Sequence, residues 1–124
     1  VGVYGENVAI SMLRSEGCSI LRHDWKIDNA GEIDIVCRDG NVLCFVEVKT
    51  RTSHYAPPRK AVNKKKRELI RSGGRAWLRL LADRDVAYRY DIVEVYLTEG
   101  DCPEVSWLKA AFGEKERSYR HPTY

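Results

Sequence analysis

The sequence predicts a mixed β-sheet flanked by helices, an α/β or α+β sandwich. Three observations point to it. Apolar residues recur at helical spacing twice, over residues 4–16 and over about 60–82. Runs of β-branched and aromatic residues, punctuated by turn signals, fill the remaining stretches. The resulting order is helix, three strands, helix, two strands. The second helix joins strands that cannot be hairpin partners, so it reads as a crossover.

The first helix places Val8, Ala9, Met12 and Leu13 on one face, and Gly17 is its stop signal. Glu6 falls on the edge of that face, in step with Ala9 and Leu13. It is either a first-turn acid favoured by the helix dipole or a site residue. A short strand follows around Ser19 to Arg22, then Trp25 and Ile27, then a turn-rich Asp28-Asn29-Ala30-Gly31. Residues Gly31 to Arg51 form a hairpin about an Asp39-Gly40 turn. Thr52 to Pro58 is a loop with two prolines, in which His54 and Tyr55 read as plain surface residues.

A long helix is expected from about Lys60 to Ala82, with Val62, Leu69, Ile70, Trp77, Leu80 and Leu81 on its apolar face. Gly73-Gly74 reads as a weak point that loosens or kinks it. Lys60, Lys64, Arg67, Arg71 and Arg75 form the opposite stripe. Lys66 breaks the pattern by pointing to the packed side, where a lysine either snorkels out or reaches a buried anion. After the Asp83-Arg84-Asp85 turn come a strand over Val86 to Leu97 and a last one over Glu104 to Lys109. Ala110, Ala111 and Phe112 then pack back on the sheet. Residues 1–112 read as one domain and 113–124 as a loosely held polar tail.

An apolar fraction of 44% excludes a disordered chain. The net charge of +3 decides little, but Lys and Arg crowd into residues 59–79. Such crowding is either a footprint for polyanions or a solvated helix face. None of the four cysteines forms a C-x-x-C pair or meets histidines at zinc spacing, so neither a zinc site nor a disulfide framework is expected. No signal peptide is recognisable, and no apolar run approaches the roughly 18 residues of a membrane helix. A soluble, reducing, cytoplasmic setting without membrane contact is the expectation.

The hairpin carries Glu32, Asp34, Glu47 and Lys49 inside otherwise apolar strands, where unpaired charge is costly. Glu47, Lys49, Phe45 and Arg51 share one face, as do Glu32, Asp34 and Val36 on the first strand. A turn at Asp39-Gly40 sets Asp34 opposite Phe45 and Glu32 opposite Glu47. Asp34 and Glu47 are then diagonal neighbours roughly 7–8 Å apart at the backbone. Two convergent carboxylates suit Mg²⁺, which accepts one or two of them with water and phosphate oxygens. Lys49 beside them could orient a water or stabilise a pentavalent phosphate. The plainer reading is a structural ladder of Glu32, Glu47 and Lys49. Phe45 and Val36 on the same face favour the site.

Asp34, a gap of 12 residues, then Glu47-Val48-Lys49 is the pattern of PD-(D/E)xK nucleases. Gly5-Glu6 with Ala9, Gly31-Glu32-Ile33-Asp34, Phe45-Val46-Glu47-Val48-Lys49-Thr50-Arg51, Val62 with Lys66, and Tyr90-Asp91-Ile92-Val93 widen the match. Together they resemble the bacterial YraN family, itself similar to archaeal Holliday-junction resolvases, over roughly residues 2–112. The resemblance implies an α/β, restriction-endonuclease-like fold with about five strands. It implies that Asp34, Glu47 and the Val48 carbonyl bind Mg²⁺ or Mn²⁺. Lys49 would position or activate water, Glu6 would complete the site from the first helix, and Lys66 would point into it. Tyr4 departs from the basic residues that often precede the family's Gly-Glu pair.

The expected activity is metal-dependent hydrolysis of phosphodiester bonds in DNA, with branched or junction DNA suggested by analogy alone. Arg51, Lys60, Lys64, Arg67, Arg71 and Arg75 would hold phosphates. A symmetric homodimer would supply the two sites that cutting a four-way junction takes. The alternatives are a nucleic-acid-binding module with an inactive or regulatory site, and a structural protein whose ion pairs hold the sheet.

Overall fold

Alternating apolar residues build five strands, and two amphipathic stretches build helices against them. The computed structural model describes residues 2–28, 30–52, 62–83, 85–98, 100 and 102–116. The elements are α1 (Gly2–Ser15), β1 (Ser19–Ile27), β2 (Gly31–Asp39), β3 (Val42–Arg51), α2 (Lys64–Arg79), β4 (Tyr88–Tyr96) and β5 (Glu104–Phe112). The sheet runs in the order β1-β2-β3-β4-β5. Strands β1 to β3 form an antiparallel meander, β4 lies parallel to β3, and β5 returns antiparallel. The crossover through α2 is the expected one, and this mixed α/β arrangement is consistent with a restriction-endonuclease-like fold.

Each helix covers one apolar cluster. Ala9 and Leu13 of α1 pack with Ile35, Cys44, Val46 and Val93. Ile70 of α2 packs with Ile33, Val36, Phe45, Tyr90 and Ile92. In β3 and β4 the two sets alternate residue by residue. In β2 the alternation breaks, because Ile33 joins the α2 side and Ile35 the α1 side. The break falls at Asp34, where the β2–β3 ladder has also ended, its last pair being Ile35 and Val46. Across β1, between the His23–Ile35 and Trp25–Ile33 pairs, stands Asp24 at φ 51°, a left-handed conformation that Asp tolerates better than most residues. Both strands bend at one level.

Gly73-Gly74 does not kink α2, which is continuous from Lys64 to Arg79. The pair lets the helix touch the sheet. A Cβ on Gly31 would sit 2.5 Å from the Gly73 nitrogen, and one on Gly74 would sit 2.9 Å from the Tyr90 ring. The helix starts later than expected because the Asn63 side chain caps it, accepting from the Lys66 N–H at 2.9 Å. Lys60, His54 and Tyr55 lie outside the described residues.

Strand β5 runs past Lys109 to Phe112 through a bulge at Ala110, φ 52°. The buried Asp91 carboxylate supports that bulge. It accepts from Ala110 N at 2.8 Å, Trp107 Nε1 at 3.0 Å and Arg89 Nε at 3.0 Å. All four cysteines are free thiols, with Cys37 and Cys44 buried cross-strand partners. No helix among the described residues is long and apolar enough to cross a membrane.

Candidate functional site

The hairpin turn falls on Gly40-Asn41, not Asp39-Gly40, and Asp39 pairs with Val42. Gly40, at φ 60°, takes the first central position, as a type II′ turn requires. The register therefore differs by two residues from the expected one. A shift of two preserves faces, so the same side chains meet, but Asp34 comes opposite Glu47 rather than diagonal to it. With the backbone ladder ended, the Asp34 carboxylate takes over, its Oδ2 accepting the Val48 N–H at 2.8 Å. The Val48 carbonyl lies on the same edge of β3 as that N–H, facing β2.

Glu47 is 6% exposed. Burial first, then the facing Asp34 carboxylate, pushes its carboxyl up to about 9, against the pull of Lys66. Its Oε2 is buried without a hydrogen-bond partner among the described residues. Such an orphan is costly unless another group arrives to satisfy it.

Lys66 does reach the packed side. Its Nζ is bonded to Glu32 Oε1 and lies 3.7 Å from Glu47 Oε1. Burial works to lower the lysine, but the Glu32 bond and the surrounding acids outweigh it and hold the ammonium above its usual range. A shallow cavity of about 270 Å³, lined by Lys26, Asp28, Gly31, Glu32 and Leu69, opens beside this pair.

Glu6 arrives through its neighbour. A Cβ on Gly5 would fall 1.9 Å from Thr50 Oγ1, so glycine is what lets α1 lie against β3. Partial burial, then Asp34 and Asp24, raise the Glu6 carboxyl. Glu6, Asp34, Glu47 and Lys66 thus share one electrostatic neighbourhood. Among the described residues no three His, Cys, Asp or Glu side chains are gathered as a ready metal cluster. Lys49 is half-buried, two residues beyond Glu47 on the same side of β3, and makes no hydrogen bond or ion pair among the described residues.

The basic stripe departs most from expectation. Lys64 is exposed as predicted. Arg71 is fully buried, pairing with Glu68 and with Glu116 at 2.6 Å and donating to the Gly113 carbonyl at 2.7 Å. It has no surface left for a phosphate. Arg67 also binds Glu116, and Arg75 pairs with Glu114 at 3.1 Å. The first residues after β5, expected as a loose tail, lie along α2 and answer its arginines with carboxylates. Arg51 contacts Glu94 at 3.2 Å.

Glu32, set by the sequence in a ladder with Glu47 and Lys49, instead takes Lys66 as its partner. The sequence reading missed a different acid. Glu94, fully buried, accepts from Arg51 and from the Tyr96 hydroxyl at 3.1 Å, with Oε1 unpartnered among the described residues. It is the register neighbour of Lys49. A charged residue inside the apolar run Tyr90 to Tyr96 was the available signal.

Residues 5–95 match the family described as "Uncharacterised protein family UPF0102". A UPF0102 protein of Solibacter usitatus (strain Ellin6076) is 43% identical over 114 residues, covering 90% of this chain and 84% of that one. One from Acetivibrio thermocellus is 40% identical over 116 residues, covering 90% and 89%. One from Geobacter metallireducens is 37% identical over 113 residues, covering 90% and 91%. The family match spans Glu6, Asp34, Glu47, Lys49 and Lys66 and stops before β5.

Proposed function

The chain belongs to the uncharacterised protein family UPF0102, and we propose that it is a metal-dependent nuclease-like protein acting on phosphodiester bonds of DNA. The observation that carries this reading is Glu47. It is a carboxylate more than nine-tenths buried, raised to about 9, with one oxygen orphaned and a second carboxylate, Asp34, beside it. A structural acid would be fully paired, whereas Glu47 meets Lys66 only at 3.7 Å through Oε1 and its Oε2 has no hydrogen-bond partner among the described residues. The donor set fits Mg²⁺ or Mn²⁺, hard ions content with two carboxylates, a carbonyl and waters. Asp34, Glu47 and the Val48 carbonyl would hold the ion, which supplies Lewis acidity and a more acidic bound water.

The chain's own groups would do the rest. Asp34 is steadied by the Val48 N–H. Glu6 would accept a proton or a water from the α1 side. Lys49 would stabilise charge gathering on the phosphate. Arg51, Lys60, Lys64, Arg67 and Arg75 remain the proposed phosphate contacts, and Arg71 drops out. Junction DNA and a homodimer stay proposals by analogy with the resolvases.

A second reading, a binding module with an inactive site, draws on one observation: Lys66 already neutralises part of the acid cluster. The test is incubation with linear, single-stranded and four-way-junction DNA in Mg²⁺ or Mn²⁺, beside Asp34→Asn and Glu47→Gln. Cutting that both substitutions abolish is the expected result. Salt-dependent binding without cutting, unchanged in the variants, would select the module. Absence of binding to all three substrates would sink both readings.

A further inference from the structure

We infer that Glu32 is a positioning residue for this site: it holds the Lys66 ammonium off the orphaned oxygen of Glu47 and so leaves that oxygen open to a divalent cation. The inference rests on the metal-dependent reading above.

Lys66 is the cation that approaches Glu47 in ion-pair range among the described residues, yet the two are not hydrogen-bonded, at 3.7 Å. Glu32 takes the lysine's close contact instead, and Glu47 Oε2 is left without a hydrogen-bond donor among the described residues.

The backbone sets that division. Glu32 follows Gly31, whose Cα lies against the Gly73 backbone of α2. That contact pins β2 to the helix one residue from the Glu32 side chain. Lys66 is pinned from the other end, because its own N–H is the group Asn63 caps at the start of α2. The two side chains are therefore delivered together by fixed points, while Glu47 comes from β3, beyond the end of the β2–β3 ladder. With about a third of each side chain exposed, both Glu32 and Lys66 have room to move when the site changes. Removing Glu32 leaves Glu47 and Asp34 as the acids facing Lys66. The ammonium would then swing onto Glu47 and compete with any metal.

The test is Mn²⁺ binding by calorimetry, with Mn²⁺ alone and no nucleic acid. Glu32→Gln should weaken Mn²⁺ about tenfold and Lys66→Met should tighten it about tenfold. In the Lys66→Met background, Glu32→Gln should change affinity by less than about twofold, because no lysine remains to be positioned. Glu32→Asp, which keeps the charge, should fall between wild type and Glu32→Gln. It also serves as the second variant if Glu32→Gln fails to fold. Equal weakening by Glu32→Gln in both backgrounds would overturn the inference, since Glu32 would then act only as one more negative charge, and the metal reading would survive. Failure of both wild type and Lys66→Met to bind millimolar Mn²⁺ would overturn the two together.

Discussion

Glu47 retains its proton at a pH where a solvated glutamate has lost it. The sign of the consequence follows from linkage. A folded state that holds an extra proton loses stability as pH rises, from the usual carboxylate value to about 9. Urea midpoints of the metal-free protein should therefore fall between pH 5 and 9, and Glu47→Gln should flatten much of that fall. A slope unchanged in the variant would mean that Glu47 is not the titrating group. At this scale the sequence was readable where charge and periodicity disagreed. Glu47, Asp34 and Lys66 each stood at a position that strand or helix spacing assigns to a packed face. Arg71 was unreadable for the opposite reason. Its spacing matches the solvated stripe, and what buries it is residues 112–116, more than 40 positions away in the chain, with Phe112 beneath its guanidinium.

Among the elements, α2 bears the most consequences. A Cβ on Gly31 would meet the Gly73 backbone, which cannot yield, whereas one on Gly73 would meet the Ile33 side chain at 2.9 Å, which can yield in part. Gly31→Ala or Gly73→Ala should cost about 1–3 kcal/mol in chemical denaturation, the range of overpacked interiors. Arg71→Met should cost about 1–3 kcal/mol, because the Gly113 carbonyl loses its donor and Glu116 is left with Arg67 alone, while the half-exposed Glu68 turns to water. The docking of Glu116 carries its own pH signature. The Arg67 and Arg71 hydrogen bonds hold its carboxyl down to about 2, so the stabilisation is present above the usual carboxylate value and lost as pH falls toward 2. Acid titration followed by NMR of the Glu116 side chain would read it directly. Helix and strand types followed from periodicity, but the hairpin register did not. Asp39-Gly40 and Gly40-Asn41 are both turn dipeptides, the first suited to a type I′ turn and the second to a type II′ turn, and both set Gly40 at positive φ. Because the two choices differ by an even number of residues, the faces of β3 were unaffected while the opposing pairs changed, and in β2 the break at Asp34 separates the face of Val36 from the one that strict alternation assigns it with Glu32.

Across the whole molecule, β3 is covered by helices on both faces and by strands on both edges, while β1 is an edge strand and mostly exposed. Amide exchange should accordingly be slowest in β3 and β4 and fastest in β1. Equal protection in β1 and β3 would contradict that ranking. The crossover was legible at this scale because the helix-then-strand order leaves few ways to pair β3 with β4. The bend shared by Asp24 and Asp34 was not, since an aspartate in a strand is compatible with several causes.

The end of the β2–β3 ladder at Ile35 and Val46 has a mechanical meaning. Past that pair the two strands behave as the prongs of a fork. One prong is braced by α2 at Gly73, and the other is braced by β4. Tension between them is carried at the mouth by the Asp34 bond to Val48 and by the Lys66 bridge. An ion gripping Asp34 and Glu47 would span the mouth as a clasp, joining prongs that the backbone itself leaves apart. The protein would then answer a bound ion by stiffening, with exchange slowed at Glu32 to Asp34 and at Glu47 to Lys49 ahead of any other stretch.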